Sequence, residues 1–192
     1  MNNNQPNYVL KFNDSTLKKV NDKNSKIKTA VIIIVAILII GSFIFQDNLF
    51  SELNWTARIL LICLAIGVMF TGKSEEIDTP AELRFYNDYL VLFRPQKYYS
   101  KKVIRQEYFI FNYNEITKIK FLSSSPSKRI HIYGNTHAIW YNFNSDGSLP
   151  TKPTYDRDVK DTVAYFTTFK NPDIDFVKEI ETHSPIKVIT EQ

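Results

Sequence analysis

Cysteine is nearly absent. Cys63 is the only one in 192 residues, so no disulfide can form within the chain and no oxidising compartment is needed. Glycine is scarce, at five residues, and no glycine-rich run is present that could cradle a phosphate. Histidine is limited to His131, His137 and His183, and their spacing matches no metal-ligand pattern. His131 alternates with Ile130 and Ile132 and is expected to face solvent. His137 falls at an expected hairpin. Asp156-Arg157-Asp158 offers two carboxylates, but acids so close in sequence are expected to point apart. These shortages remove the usual routes to catalysis, so the sequence reads as a chain that is not an enzyme, with no cofactor and no metal site. The net charge of +4 is too small to call for nucleic acid.

Charge is missing altogether from Thr29 to Gln46, where the stretch Ala30 to Ile40 is aliphatic throughout. No helical or strand period shows in it, so it would be apolar on every face. As a helix it would reach roughly 27 Å, close to the hydrocarbon thickness of a bilayer. A buried core helix is the competing reading, but the remaining chain is too small to wrap one. A secretory signal is the other, but the basic region before it is long and no A-x-A site follows. A second apolar run covers 55–71 and is interrupted by Arg58. The expectation is a transmembrane hairpin over 29–71, with helices at 29–46 and 55–71. Trp55 and Arg58 would be interfacial anchors, the arginine extending toward headgroups. Arg58 as a substrate or ion site is the alternative.

The segment 1–28 holds six lysines against two aspartates, whereas Asp47 to Asn54 carries only acids. The positive-inside rule then places both termini in the cytoplasm of a multi-pass inner-membrane protein. Tyr8 to Phe12 reads as a short strand. Asn13-Asp14-Ser15 reads as a helix cap, and a basic helix carrying Leu17, Val20 and Ile27 is expected to lead into the membrane, where it could attract anionic lipid. Residues 1–7 read equally as a disordered tail.

Beyond a linker at 72–80, the period changes to two. Leu83 to Tyr86 and Tyr89 to Phe93 flank the turn Asn87-Asp88. Val103 to Phe111, Ile116 to Leu122, Arg129 to Tyr133, Ala138 to Phe143 and Thr162 to Phe169 read as further strands. Gly134-Asn135 reads as a hairpin turn, and Asn144 to Asp161 as a long loop. Asn171-Pro172 is expected to start a terminal helix bearing Ile174, Phe176, Val177 and Ile180. The fold class is thus α+β: a membrane hairpin, then a small antiparallel barrel or sandwich over 81–192, capped by a C-terminal helix.

Arg84 to Leu92, Tyr113 to Ile119, Ile130 to Tyr133 and the helix from Asp173 to Ile180, in this order after a two-helix hairpin, resemble the bacterial pleckstrin-homology-like membrane proteins, and more narrowly the YcxB-like family. The resemblance implies a PH-like domain and gives no ligand. The Pro95 to Lys102 excursion and the Asn144 to Asp161 loop depart from the pattern.

Between Arg94 and Arg129 nine basic residues face only Glu107 and Glu115. Arg94, Lys97, Tyr98, Tyr99, Lys101, Lys102 and Arg105 are therefore the candidate surface for anionic lipid headgroups or for a protein or peptide partner. A solvated hairpin whose charges protect a sheet edge is the competing reading. The leading function is a membrane-tethered binding or adaptor module. The alternative is a small subunit of a transport or export complex in which the hairpin carries the activity.

Overall fold

The computed structural model describes residues 5–20, 26–44, 54–70, 73–100, 103–124 and 128–191. The chain divides into two units: residues 19–74, and residues 1–18 together with 75–192.

The first unit contains helices α1 (Lys26–Ile44) and α2 (Trp55–Phe70), which contact one another. The expected membrane hairpin is corrected here. In α1, Lys26 and Lys28 occupy the first turn, and the uncharged remainder, Thr29 to Ile44, reaches only about 24 Å against the roughly 30 Å of a hydrocarbon core. In α2, Trp55 to Phe70 is again about 24 Å long and carries Arg58 in its first turn. Among the described residues, no helix is long and apolar enough to cross a membrane. This overturns the transmembrane assignment and the multi-pass inner-membrane location with both termini cytoplasmic. Residues 45–46 and 71, and most of the Asp47 to Asn54 segment, lie outside the described residues. Asn54 caps α2, its Oδ1 accepting from Ala57 N at 2.8 Å. Trp55 is 73% exposed, and Ile33, Ile34, Ile37, Ile59 and Leu60 are exposed as well.

The second unit is mostly strand: β1 (Tyr8–Val20), β2 (Lys73–Phe85), β3 (Tyr89–Ser100), β4 (Val103–Asn112), β5 (Ile116–Leu122), β6 (Arg129–Asn142), β7 (Tyr155–Thr167) and β8 (Val188–Glu191), with helix α3 (Phe176–His183) before β8. They form an eight-stranded sheet in the order β1-β2-β3-β4-β6-β5-β8, and β7 pairs with the remaining edge of β6. β4 and β5 lie end to end along one edge of β6: Ile110 pairs with His137, and after a 3-10 turn at Tyr113–Glu115, Ile116 pairs with Gly134. The expected barrel or sandwich is therefore corrected to a curled half-barrel.

Gly134 makes the crossing possible. Its φ is +152°, and a Cβ there would collide with the Glu115 carbonyl oxygen and stand 2.9 Å from Ile116 Cα. Only glycine tolerates both the angle and the approach. The register shift between Gly134 and Thr136 is a bulge, so β6 runs straight through what was expected to be a hairpin turn.

Alternation along the strands builds the core. Leu10 and Phe12 of β1, Leu83 and Phe85 of β2, Leu90 and Leu92 of β3, Phe111 of β4, Ile130 and Ile132 of β6, and Ala164 and Phe166 of β7 all face inward and are buried. Helix α3 packs on them through Phe176 and Ile180. Phe176 meets Phe12 edge-on at 5.3 Å and lies 5.5 Å from Phe166.

Other local expectations are corrected too. Residues 13–20 continue β1 rather than capping and forming a basic helix. Leu17 is 69% exposed, and Asp14 is drawn into the core layer. The expected linker belongs largely to β2, whose Thr79 Oγ1 bonds Thr16 Oγ1 at 2.9 Å. The Pro95 excursion is absorbed into β3 as a bulge, and β7 begins inside the expected loop. Asn171 is not the cap of α3, which is Asp175, accepting from Lys178 N. Instead, the Asn171 amide pairs with the β1 backbone: Asn13 N donates to Oδ1 at 2.9 Å and Nδ2 donates to Asn13 O at 2.8 Å.

Candidate functional site

The inward-facing rows of three strands end in charges. After Leu10 and Phe12 comes Asp14, after Leu90 and Leu92 comes Arg94, and Glu107 precedes Phe109 and Phe111 at the same two-residue spacing. The register confirms the layer, since Leu92 pairs with Phe109 and Arg94 with Glu107. Asp14 and Arg94 are each 3% exposed and Glu107 is fully buried. Arg94 donates to Asp14 Oδ2 from Nε at 2.9 Å and from Nη2 at 2.8 Å, reaches Glu107 Oε2 at 3.3 Å, and also donates to the Tyr165 carbonyl.

Asp14 also joins two edges of the half-barrel. Its Oδ1 accepts from the Thr167 backbone N–H and hydroxyl, each at 2.8 Å, and from Ser15 N at 2.8 Å. A carboxylate of β1 thus bonds the backbone of β7 where no ladder pairing of the two strands occurs among the described residues. Together with the Asn171 to Asn13 pairing, it closes the seam between β1 and β7.

Lys97 and Arg105 join the same cluster. Pro95 cannot donate to the ladder, and the bulge after Arg94 sets Lys97 opposite Arg105. Lys97 Nζ stands 3.2 Å from Glu107 Oε2, and Arg105 Nε bonds Glu107 Oε1. Burial, then the neighbouring Arg94 charge, lowers the Lys97 ammonium below the usual lysine range, with Glu107 pulling the other way. The seam leaves a cavity of about 580 Å³ lined by Asp14, Glu76, Arg94, Lys97, Arg129 and Tyr165, among others.

The candidate residues read from the sequence therefore separate. Arg94 is buried in the core's polar layer, where no surface can use it. Lys97 and Arg105 are largely committed to Glu107. Tyr98 is half-buried, with Lys18 Nζ 5.6 Å from its ring centroid. Tyr99 is exposed. Lys101 and Lys102 lie outside the described residues. Trp55 and Arg58 belong to the other unit.

A second arrangement was not read from the sequence. The Arg105 guanidinium lies 3.8 Å from the Tyr99 ring centroid and 4.7 Å from that of Trp140, and Trp140 stacks on Tyr155 at 3.7 Å with planes 1° apart. This strip crosses β3, β4, β6 and β7. Register sets Trp140 opposite both Tyr155 and Glu107, so Arg105, two residues before Glu107, meets the Trp140 ring diagonally, while Tyr99 lies in the irregular end of the β3–β4 ladder.

The histidines also depart from expectation. Asp156 and Asp158 do not point apart. Alternate positions on β7 share a face, and both reach His137, at 2.8 Å from Nε2 and 2.6 Å from Nδ1. His131 does not simply face water: its Nε2 is buried without a partner, and burial followed by the Arg129 and Lys120 charges lowers its pKa from 6.5. Inward alternation ending in Asp14, Arg94 and Glu107 was the signal for the buried cluster. For the strip and the His137 group, no signal exists until strand register is known. The chain matches no protein-family model, no curated protein and no solved structure.

Proposed function

We propose that the β-rich unit is a protein-recognition module and not an enzyme, with the Tyr99, Arg105, Trp140 and Tyr155 strip as its partner face. What supports this is the composition and rigidity of the strip. Tryptophan, tyrosine and arginine are the residue types that dominate binding energy at protein interfaces. Rings already stacked at 3.7 Å, with a guanidinium held over the tryptophan, have little rotamer freedom left to lose on association. The resemblance to pleckstrin-homology-like proteins names no ligand and adds nothing to this reading.

The test places a photo-crosslinking amino acid at Tyr99 in the full chain, and separately at Leu149, an exposed position on the loop before β7. A discrete adduct is expected from Tyr99 and not from Leu149, and it should vanish when Trp140 or Tyr155 becomes Ala. Equal adducts from both positions, or an adduct indifferent to both substitutions, would refute the assignment.

A further inference from the structure

Arg129 opens β6 and lines the seam cavity. Its guanidinium makes no ion pair and no hydrogen bond with any described residue. Its Nε is buried without a partner, and the Tyr165 ring lies 5.4 Å from the guanidinium carbon. The neighbouring carboxylates are already engaged. Asp14 is taken by Arg94, Ser15 and Thr167, and Glu107 by Arg94, Lys97 and Arg105. Arg129 is partly buried, and a buried guanidinium N–H without an acceptor is costly, so natural proteins keep few of them unless water or a bound group supplies the acceptor.

The charge balance has the same sign. Among the lining residues, Arg94, Lys97 and Arg129 meet Asp14. Glu76, exposed at its edge and bonded by Ser15 Oγ, adds a second carboxylate. Three cations against two carboxylates leave a positive excess, and Arg129 is the lining cation without an ion-pair partner among the described residues.

We propose that this cavity binds an oxyanion, the carboxylate or phosphate group of an acidic ligand, with the Arg129 guanidinium as its principal donor and the Lys97 ammonium as the second. The planar guanidinium suits both groups, because each presents paired oxygens that a forked donor can meet. Burial first, and then the Arg94 charge, disfavour the Lys97 ammonium, and an arriving anion would offset the second of these. None of the strip's residues lines the cavity, although Glu107 pairs with both Lys97 and the strip's Arg105.

The experiment titrates the full chain with inorganic phosphate and with succinate by calorimetry, at ionic strength held constant with sodium chloride. Saturable binding of at least one probe is expected, with a rise in melting temperature as it binds. Binding of phosphate alone assigns a phosphate-type ligand; binding of succinate alone assigns a carboxylate. R129Q should weaken affinity by about tenfold or more, because a charged donor is lost. K97Q should weaken it several-fold, and R157Q, at an exposed position on β7, should leave it unchanged. Should R129Q not fold, R129K decides: it keeps the charge and loses the fork, and must still weaken binding several-fold. No saturable binding of either probe, or an affinity unmoved by the Arg129 substitutions, overturns the proposal.

Discussion

Replacing Asp14 by Ala tests the account of the seam most directly. The carboxylate is 3% exposed, and it accepts from Arg94, from Ser15 N and from both the N–H and the hydroxyl of Thr167. Its removal leaves Arg94, also 3% exposed, with only a 3.3 Å contact to Glu107 and the Tyr165 carbonyl, and it strips the Thr167 N–H of its acceptor. Removing one partner of a buried ion pair typically costs about 3–5 kcal/mol. Against a total stability of roughly 5–15 kcal/mol, that is a large loss. Asp14→Asn keeps an acceptor oxygen for Thr167 and loses the charge, so it should cost less, about 1.5–3 kcal/mol. The assay is urea unfolding followed by Trp140 fluorescence in a Trp55→Phe background, which leaves one reporter, placed in the β-rich unit. In the double variant Asp14→Ala/Arg94→Met, the stranded cation is gone. Its cost should fall short of the summed single costs by at least ~1 kcal/mol, as expected for residues in direct contact. Additive costs, or a loss below about 1 kcal/mol for Asp14→Ala, would refute the claim that this pair holds β1 to β7.

Two further outcomes follow from the same geometry. Gly134→Ala places a Cβ against the Glu115 carbonyl at a φ of +152°, so it should cost more than about 3 kcal/mol or prevent folding; a melting temperature within a degree or two of wild type would contradict the crossing of β6 over the 3-10 turn. His131 has its pKa lowered from 6.5, so as the pH falls the unfolded chain takes up this proton first. Its contribution to stability therefore declines below pH 6.5 and levels off below the folded value. A His131→Gln chain should lose less melting temperature than wild type between about pH 7.5 and pH 5, and equal losses would refute the assignment.

Local physics decided much of the β-rich unit from the sequence alone. The Asn87-Asp88 turn, with β-branched and aromatic residues on both sides, fixes the β2–β3 hairpin, and Tyr86 N duly bonds Tyr89 O at 2.9 Å. Alternation likewise marks β4, β5 and most of β6, because half-buried strands impose a period of two. The length of the apolar run misled. In the sequence it reads as roughly 27 Å over Thr29 to Gln46, whereas the uncharged part of α1 runs from Thr29 to Ile44, about 24 Å, and α2 carries Arg58 in its first turn, so among the described residues neither helix suffices to cross a membrane. Position misled at Asn13-Asp14-Ser15 and at Asn171. These residues have the chemistry of helix caps, but the Asp14 and Asn171 side chains bond strand backbone and the Ser15 hydroxyl bonds Glu76, choices that depend on which strand lies opposite. The basic segment from Arg94 to Arg105 looked like a surface because charge was counted along the chain. The pleat turns Arg94 inward, the bulge at Pro95 sets Lys97 opposite Arg105, and Glu107 gathers all three cations. Only tertiary structure could assemble Tyr99 with Trp140 and Tyr155, or Arg129 with Lys97, because these residues are brought together by strand order and register between segments far apart in sequence. Neither order nor register is encoded in the neighbours of any one residue.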